Sequence, residues 1–156
     1  MLAHGASYDA ASWEAQAEVL AADGATVVAT DEITPAALAD AVTWAREQGA
    51  DEVALVGASA GADAVLDLCA EDAGCADRLV LLSPNAVVPD PVEPPTLFVA
   101  SEDEAVADVA PALAGTAADG DLLVVPGDAH AQGLFDTPDG AQVLEAVRDH
   151  LQDPQD

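Results

Sequence analysis

Lysine is missing from this 156-residue chain, and its only three cations are Arg46, Arg78 and Arg148. Thirty carboxylates oppose them, giving a formal net charge of −27 at pH 7. A chain so poor in positive charge cannot neutralise phosphates, which excludes nucleic acid and anionic membrane surfaces as partners. Aromatic residues are scarce, at 3%, although 51% of the chain is hydrophobic. The core must therefore rest on Val, Leu and closely packed Ala. No window reaches the apolar length of a membrane span, and Met1–Gly5 carries no basic, signal-like start; the chain reads as cytoplasmic. The two cysteines, Cys69 and Cys75, have no metal-ligand spacing. In a reducing compartment they read as structural thiols, a local disulfide being the alternative. No cofactor is expected.

Apolar segments of strand and helix type alternate with short connections, which argues for a parallel sheet covered on both faces, a three-layer α/β/α sandwich of about six strands. Strands are expected at 1–3, 25–30, 52–56, 78–82, 96–100 and 121–125. Helices are expected at 10–22, from Thr34 to Gly49, at 60–70, 104–114 and 139–151. Thr34 is a side-chain cap with Pro35 in the first turn. Residues 84–95 contain five prolines and read as a loop. There is no repeat or linker, so residues 1–152 form one domain, and 153–156 are an acidic tail expected to fray. The acids are dispersed among periodic apolar segments, as on the solvated face of a folded domain rather than in a disordered tail.

The segment Gly57-Ala58-Ser59-Ala60-Gly61 lies after an apolar strand and at the head of an alanine-rich helix. A serine in so tight a strand-to-helix turn needs neighbours nearly without side chains, and this pattern is the nucleophile elbow. The same glycine-lined turn can also bind an anion or bring a helix close to a sheet. A serine hydroxyl needs a base, and the base needs an orienting carboxylate. Both follow Ser59 in chain order, each beyond a later strand. His130 lies after the strand ending at Val125, and an acid lies after the strand ending at Ala100. That acid is one of the consecutive Glu102, Asp103 and Glu104; Asp128 is a further candidate, but sits only two residues from His130. His150 reads as a solvated residue of the last helix.

These segments resemble the α/β-hydrolases, in particular small dienelactone-hydrolase-like members. Leu2 to Trp13, with His4-Gly5, is similar to their strand-3 turn, Gly57 to Gly61 to their elbow, Pro95 to Asp103 to their acid strand, and Asp128-Ala129-His130 to their histidine loop. The four motifs span nearly the whole chain in the family's order. The resemblance implies a hydrolase of small carboxylic esters with Ser59 as nucleophile, His130 as base and then acid, and Asp103 as orienter. It implies an oxyanion hole from the backbone N–H groups of Ala60 and Ala6, with His4 bracing the turn. It also implies that the strands usually preceding the His-Gly turn are missing and that no lid is present. Tyr8 and Phe135 are candidate pocket residues. The strand at 25–30 would then be an exposed apolar edge that favours a homodimer. Competing readings are an inactive ligand-binding protein of the same fold and an acyltransferase using the same triad.

The absence of lysine beside so many acids resembles proteins of salt-in halophiles, in which molar salt screens self-repulsion. The unfolding midpoint, followed by circular dichroism, is expected to rise steeply between dilute buffer and molar KCl; an unchanged midpoint would refute this dependence on screening.

Overall fold

A computed structural model describes residues 1–152; the acidic tail at 153–156 lies outside the described residues. Six strands form one all-parallel sheet in the order β2-β1-β3-β4-β5-β6. They are β1 (Leu2–Ala3), β2 (Ala29–Thr30), β3 (Ala54–Ala58), β4 (Arg78–Leu82), β5 (Thr96–Ser101) and β6 (Gly120–Val125). The helices are α1 (Glu14–Ala22), α2 (Pro35–Glu47), α3 (Ala60–Glu71), α4 (Val109–Ala114) and α5 (Gly140–Gln152).

Alternation along the strands divides the core in two. Leu55, Leu79, Leu81 and Phe98 face a cluster that includes Leu38 of α2, Val65 of α3 and Leu113 of α4. Val56, Val80, Leu82 and Val99 face the opposite cluster, with Leu20 of α1 and Val143 and Val147 of α5. Period-two alternation on a sheet buried on both sides is what produces near-continuous apolar strands. Small residues then set how closely the layers approach. A Cβ added to Gly61 would lie 2.3 Å from Ala3 O, and one added to Gly57 would lie 2.7 Å from Ala62 Cα. Thus α3 sits directly against β1 and β3, and only glycine fits at the contact.

Several local expectations are corrected. Of the expected strand 25–30 only Ala29 and Thr30 form strand, in register with Leu2 and Ala3 of β1, and Val28 O just before them accepts the Leu2 N–H at 2.8 Å. The exposed edge expected to support a homodimer is accordingly two residues long. The first turn of the helix expected at 10–22 is a 3-10 turn, Ala10–Trp13, capped by Asp9, whose Oδ1 accepts the Ser12 N–H at 3.1 Å. The fourth helix starts at Val109 rather than at Glu104, since residues 102–108 form turns that direct Glu104 inward. Cys69 and Cys75 form a disulfide instead of remaining thiols. A turn closed by Cys75 N–H to Asp72 O at 3.0 Å brings their Cα atoms to 5.2 Å, within bridging range. His150 is half-buried rather than solvated, and burial holds its imidazole below the ordinary pKa. Phe135 is partly buried and packs edge-on against buried Trp13, with centroids 6.0 Å apart.

Gly61→Ala is expected to destabilise the fold by about 3 kcal/mol, since the clash is with backbone that cannot move aside. Gly133→Ala, whose added Cβ would meet only Tyr8 Oη at 3.8 Å, is expected to change stability by less than about 1 kcal/mol. Urea unfolding of both variants in molar KCl makes the comparison.

Candidate active site

The carboxyl ends of the parallel strands carry the site, as open α/β sheets arrange it. Ser59 follows β3 and is the N-cap of α3, with φ 51° and ψ −116°. A non-glycine residue at positive φ is strained and persists only where its surroundings over-determine it. Here its N–H donates to Leu82 O at 2.8 Å and its carbonyl accepts from Asp63 N–H at 3.0 Å, so both ends of the turn are pinned. Its side chain is thereby lifted off the end of β3.

Ser59 Oγ lies 2.8 Å from His130 Nε2, and His130 Nδ1 lies 2.6 Å from Glu104 Oε2. A carboxylate at Nδ1 accepts its proton, which leaves Nε2 as the acceptor for the serine hydroxyl. The carboxylate expected at this point was Asp103, and this is corrected to Glu104. The Asp103 side chain is exposed, while its backbone N–H donates to Gly127 O at 2.9 Å. The Glu104 side chain is only 1% exposed. Glu102 and Asp128 are also exposed.

Two further donors hold Glu104 in place, neither of them marked in the sequence. Ser83 Oγ donates to its Oε1 at 3.2 Å, and the Ser101 N–H donates to the same oxygen at 2.9 Å. The Ala131 N–H in turn donates to Ser83 Oγ at 3.0 Å, and Ser101 Oγ donates to Ala129 O at 2.7 Å. The histidine loop is thus tied on both sides of His130 to the strands that hold the carboxylate. Ser83 and Ala131 have φ values of 48° and 55°. Together with Ser59, they are the non-glycine residues at positive φ among the described residues, and all three border this relay.

The turn after β1 closes the other side. His4 is buried, and its ring nitrogens face Gly5 O at 2.8 Å and Asp31 O at 3.2 Å. The Gly5 N–H donates to Gln132 Oε1 at 3.1 Å, and Gln132 Nε2 donates to Ser12 Oγ at 2.9 Å. Buried Gln132 therefore links the histidine loop to the His4-Gly5 turn, a role no sequence pattern announced. A Cβ on Gly5 would stand 3.5 Å from Ser59 Cβ, so the turn passes beside Ser59. With the Gly5 N–H engaged, the N–H groups of Ala6 and Ala60 have no hydrogen-bond acceptor among the described residues. Ala60 opens α3, at the positive end of its dipole. Tyr8 stays 41% exposed beside this turn.

The His130 side chain is 40% exposed and Ser59 is partly exposed. Residues 84–95 form neither helix nor strand. A cavity of about 410 Å³ lies elsewhere, at the amino ends of the strands, lined by Leu20, Val27, Val28, Trp44 and Val53 among others; Ser59, Glu104 and His130 do not reach it. Among the described residues no group of three or more His, Cys, Asp or Glu is arranged to hold a metal.

This architecture is the α/β-hydrolase fold. A monoacylglycerol lipase of Paleococcus ferrophilus superposes with a TM-score of 0.75 at 13% identity, covering 95% of this chain and 91% of the lipase. A thermophilic esterase of Thermogutta terrifontis gives 0.72 at 15% identity, covering 97% and 88%. The type II thioesterase BorB, from the borrelidin biosynthetic cluster, gives 0.73 at 16% identity, covering 97% and 89%. No protein-family model and no curated protein sequence matches the chain.

Glu104→Gln keeps an oxygen for Ser83 and Ser101 but offers His130 an amide N–H, which favours the wrong tautomer. It is expected to lower kcat for p-nitrophenyl acetate by about 10³- to 10⁴-fold, whereas Asp103→Asn is expected to stay within about twofold. Steady-state kinetics in molar KCl compare the two.

Proposed function

We propose that this protein is a serine hydrolase that cleaves small carboxylic esters through an acyl-enzyme on Ser59. The observation that carries the reading is the continuous relay from Ser59 Oγ through the His130 ring to Glu104. In the proposed reaction, Ser59 Oγ attacks the acyl carbon as its proton passes to His130 Nε2. The tetrahedral oxyanion rests on the N–H groups of Ala60 and Ala6, each such donor being worth about 3 kcal/mol. His130 then protonates the departing alcohol. Water enters by the same route and releases the acid.

The shape and charge of the site narrow the substrate. With no lid over Ser59, water and short acyl groups enter freely, which favours small soluble esters over long lipids. All three arginines are engaged away from the site. Arg46 pairs with Asp77 at 2.6 Å, Arg148 with Asp23 at 2.6 Å, and Arg78 at the start of β4 donates to His150 O at 3.2 Å. A substrate carboxylate would find no cation at the carboxyl end of the sheet, so neutral esters are the class proposed. The resemblance of the four motifs supports a small dienelactone-hydrolase-like enzyme in this proposal, and the charge pattern supports molar salt as its working medium.

A fluorophosphonate probe in molar KCl is expected to label the wild type and not Ser59→Ala. A folded wild type left unlabelled would favour the ligand-binding alternative. Suppression of hydrolysis by an added alcohol, with transfer of the acyl group to it, would favour the acyltransferase.

A further inference from the structure

One hydrogen bond to the nucleophile lies outside the relay. Asn85, in the loop after β4, places its Nδ2 3.2 Å from Ser59 Oγ. The same Nδ2 is 2.7 Å from Asp63 Oδ2, and the Asn85 backbone N–H donates to Asp63 Oδ1 at 2.9 Å. Asp63 lies in the first turn of α3, four residues after Ser59, and its N–H donates to Ser59 O. An ionised carboxylate only accepts hydrogen bonds. It therefore fixes which end of the Asn85 amide faces inward, and the second N–H of that nitrogen is directed at Ser59 Oγ. The serine oxygen is held between an acceptor, His130 Nε2, and a donor, Asn85 Nδ2.

From this geometry we infer that Asn85 is a further catalytic residue, one that stabilises Ser59 Oγ as it leaves the acyl-enzyme, with Asp63 as its positioning residue. The inference rests on the proposed hydrolase reading and extends it. A donor aimed at an oxygen strengthens as negative charge builds there. In attack, the same donor withdraws electron density from the nucleophile, so its benefit is partly cancelled. In deacylation there is no such opposition. Water adds to the acyl carbon as its proton passes to His130 Nε2. The tetrahedral oxyanion then re-forms the carbonyl and the C–Oγ bond breaks, its electron pair going to Oγ. The Nε2 proton is delivered to Oγ, and the carboxylic acid departs. Asn85 Nδ2–H faces Oγ throughout and acts where charge on Oγ is greatest.

The test is pre-steady-state release of p-nitrophenol from p-nitrophenyl acetate in molar KCl, with active sites counted by fluorophosphonate labelling. Asn85→Ala is expected to keep full labelling and a burst rate within about threefold of wild type, while the steady-state rate per labelled site falls about 10- to 100-fold. Asp63→Ala, which frees the amide, is expected to shift the same ratio in the same direction by a smaller factor. If the steady-state rate per labelled site is unchanged in Asn85→Ala, or if burst and steady-state rates fall together, the role in deacylation is refuted and the hydrolase reading stands. If the wild type itself shows neither labelling nor turnover, both fall. A loss of labelling in proportion to activity would mean that Asn85 only maintains the fold, which also refutes the inference.

Discussion

A carboxylate shut away from water at the end of the sheet is the constraint around which the rest is arranged. Glu104 is almost wholly buried in a chain with no lysine and with its three arginines engaged elsewhere. A buried charge without partners is strongly unfavourable, so it must be met by hydrogen bonds. It receives them from Ser83 Oγ, the Ser101 N–H and His130 Nδ1. Two of these donors belong to or directly follow β4 and β5, so the carboxylate is fixed to the sheet. The third is the imidazole, whose orientation and tautomer are set in consequence. The reactivity proposed for Ser59 is thus a result of satisfying Glu104.

That arrangement stores strain in a narrow region. Ser59, Ser83 and Ala131 each take a positive φ that glycine would adopt more readily. Each lies just beyond β3, just beyond β4 or next to His130, where a chain leaving the sheet must turn sharply to aim a side chain or an N–H at the relay. The elbow adds a packing condition, because α3 can begin directly over β1 only if positions 57 and 61 lack side chains. Gln132 then ties the histidine loop to the first turn, and His4 braces that turn against Gly5 O and Asp31 O. Tight turns, glycine contacts and polar ties all serve one geometry.

The fold and the tight turn at Ser59 were legible in the sequence because steric rules write them locally. The alternation of segments points to a parallel sheet, and the elbow needs small residues at defined positions. With only three histidines in the chain, few alternatives competed with His130. The acid was less legible. Glu102, Asp103 and Glu104 are chemically near-equivalent in sequence, and an expected helix from 104 hid the turn that buries one of them. Ser83, Asn85, Asp63 and Gln132 carry no local pattern; only the convergence of β3, β4, β5 and two loops gives them partners. The disulfide stood only as the alternative to free thiols for a related reason, since the turn at Asp72–Cys75 decides the geometry and no local pattern announces it.

The charge pattern and the site belong to one account. A surface crowded with carboxylates repels itself in dilute solution, yet the relay needs a sheet held together firmly enough to keep Glu104 dry. A crystal structure of the fluorophosphonate adduct, grown in molar salt, tests the central claim most directly. The account predicts phosphorus on Ser59 Oγ, a phosphoryl oxygen about 2.7–3.1 Å from the Ala6 and Ala60 nitrogens, and His130 Nδ1 still bonded to Glu104. Phosphorus on another residue, or an imidazole turned from Glu104 to Asp103, would contradict it.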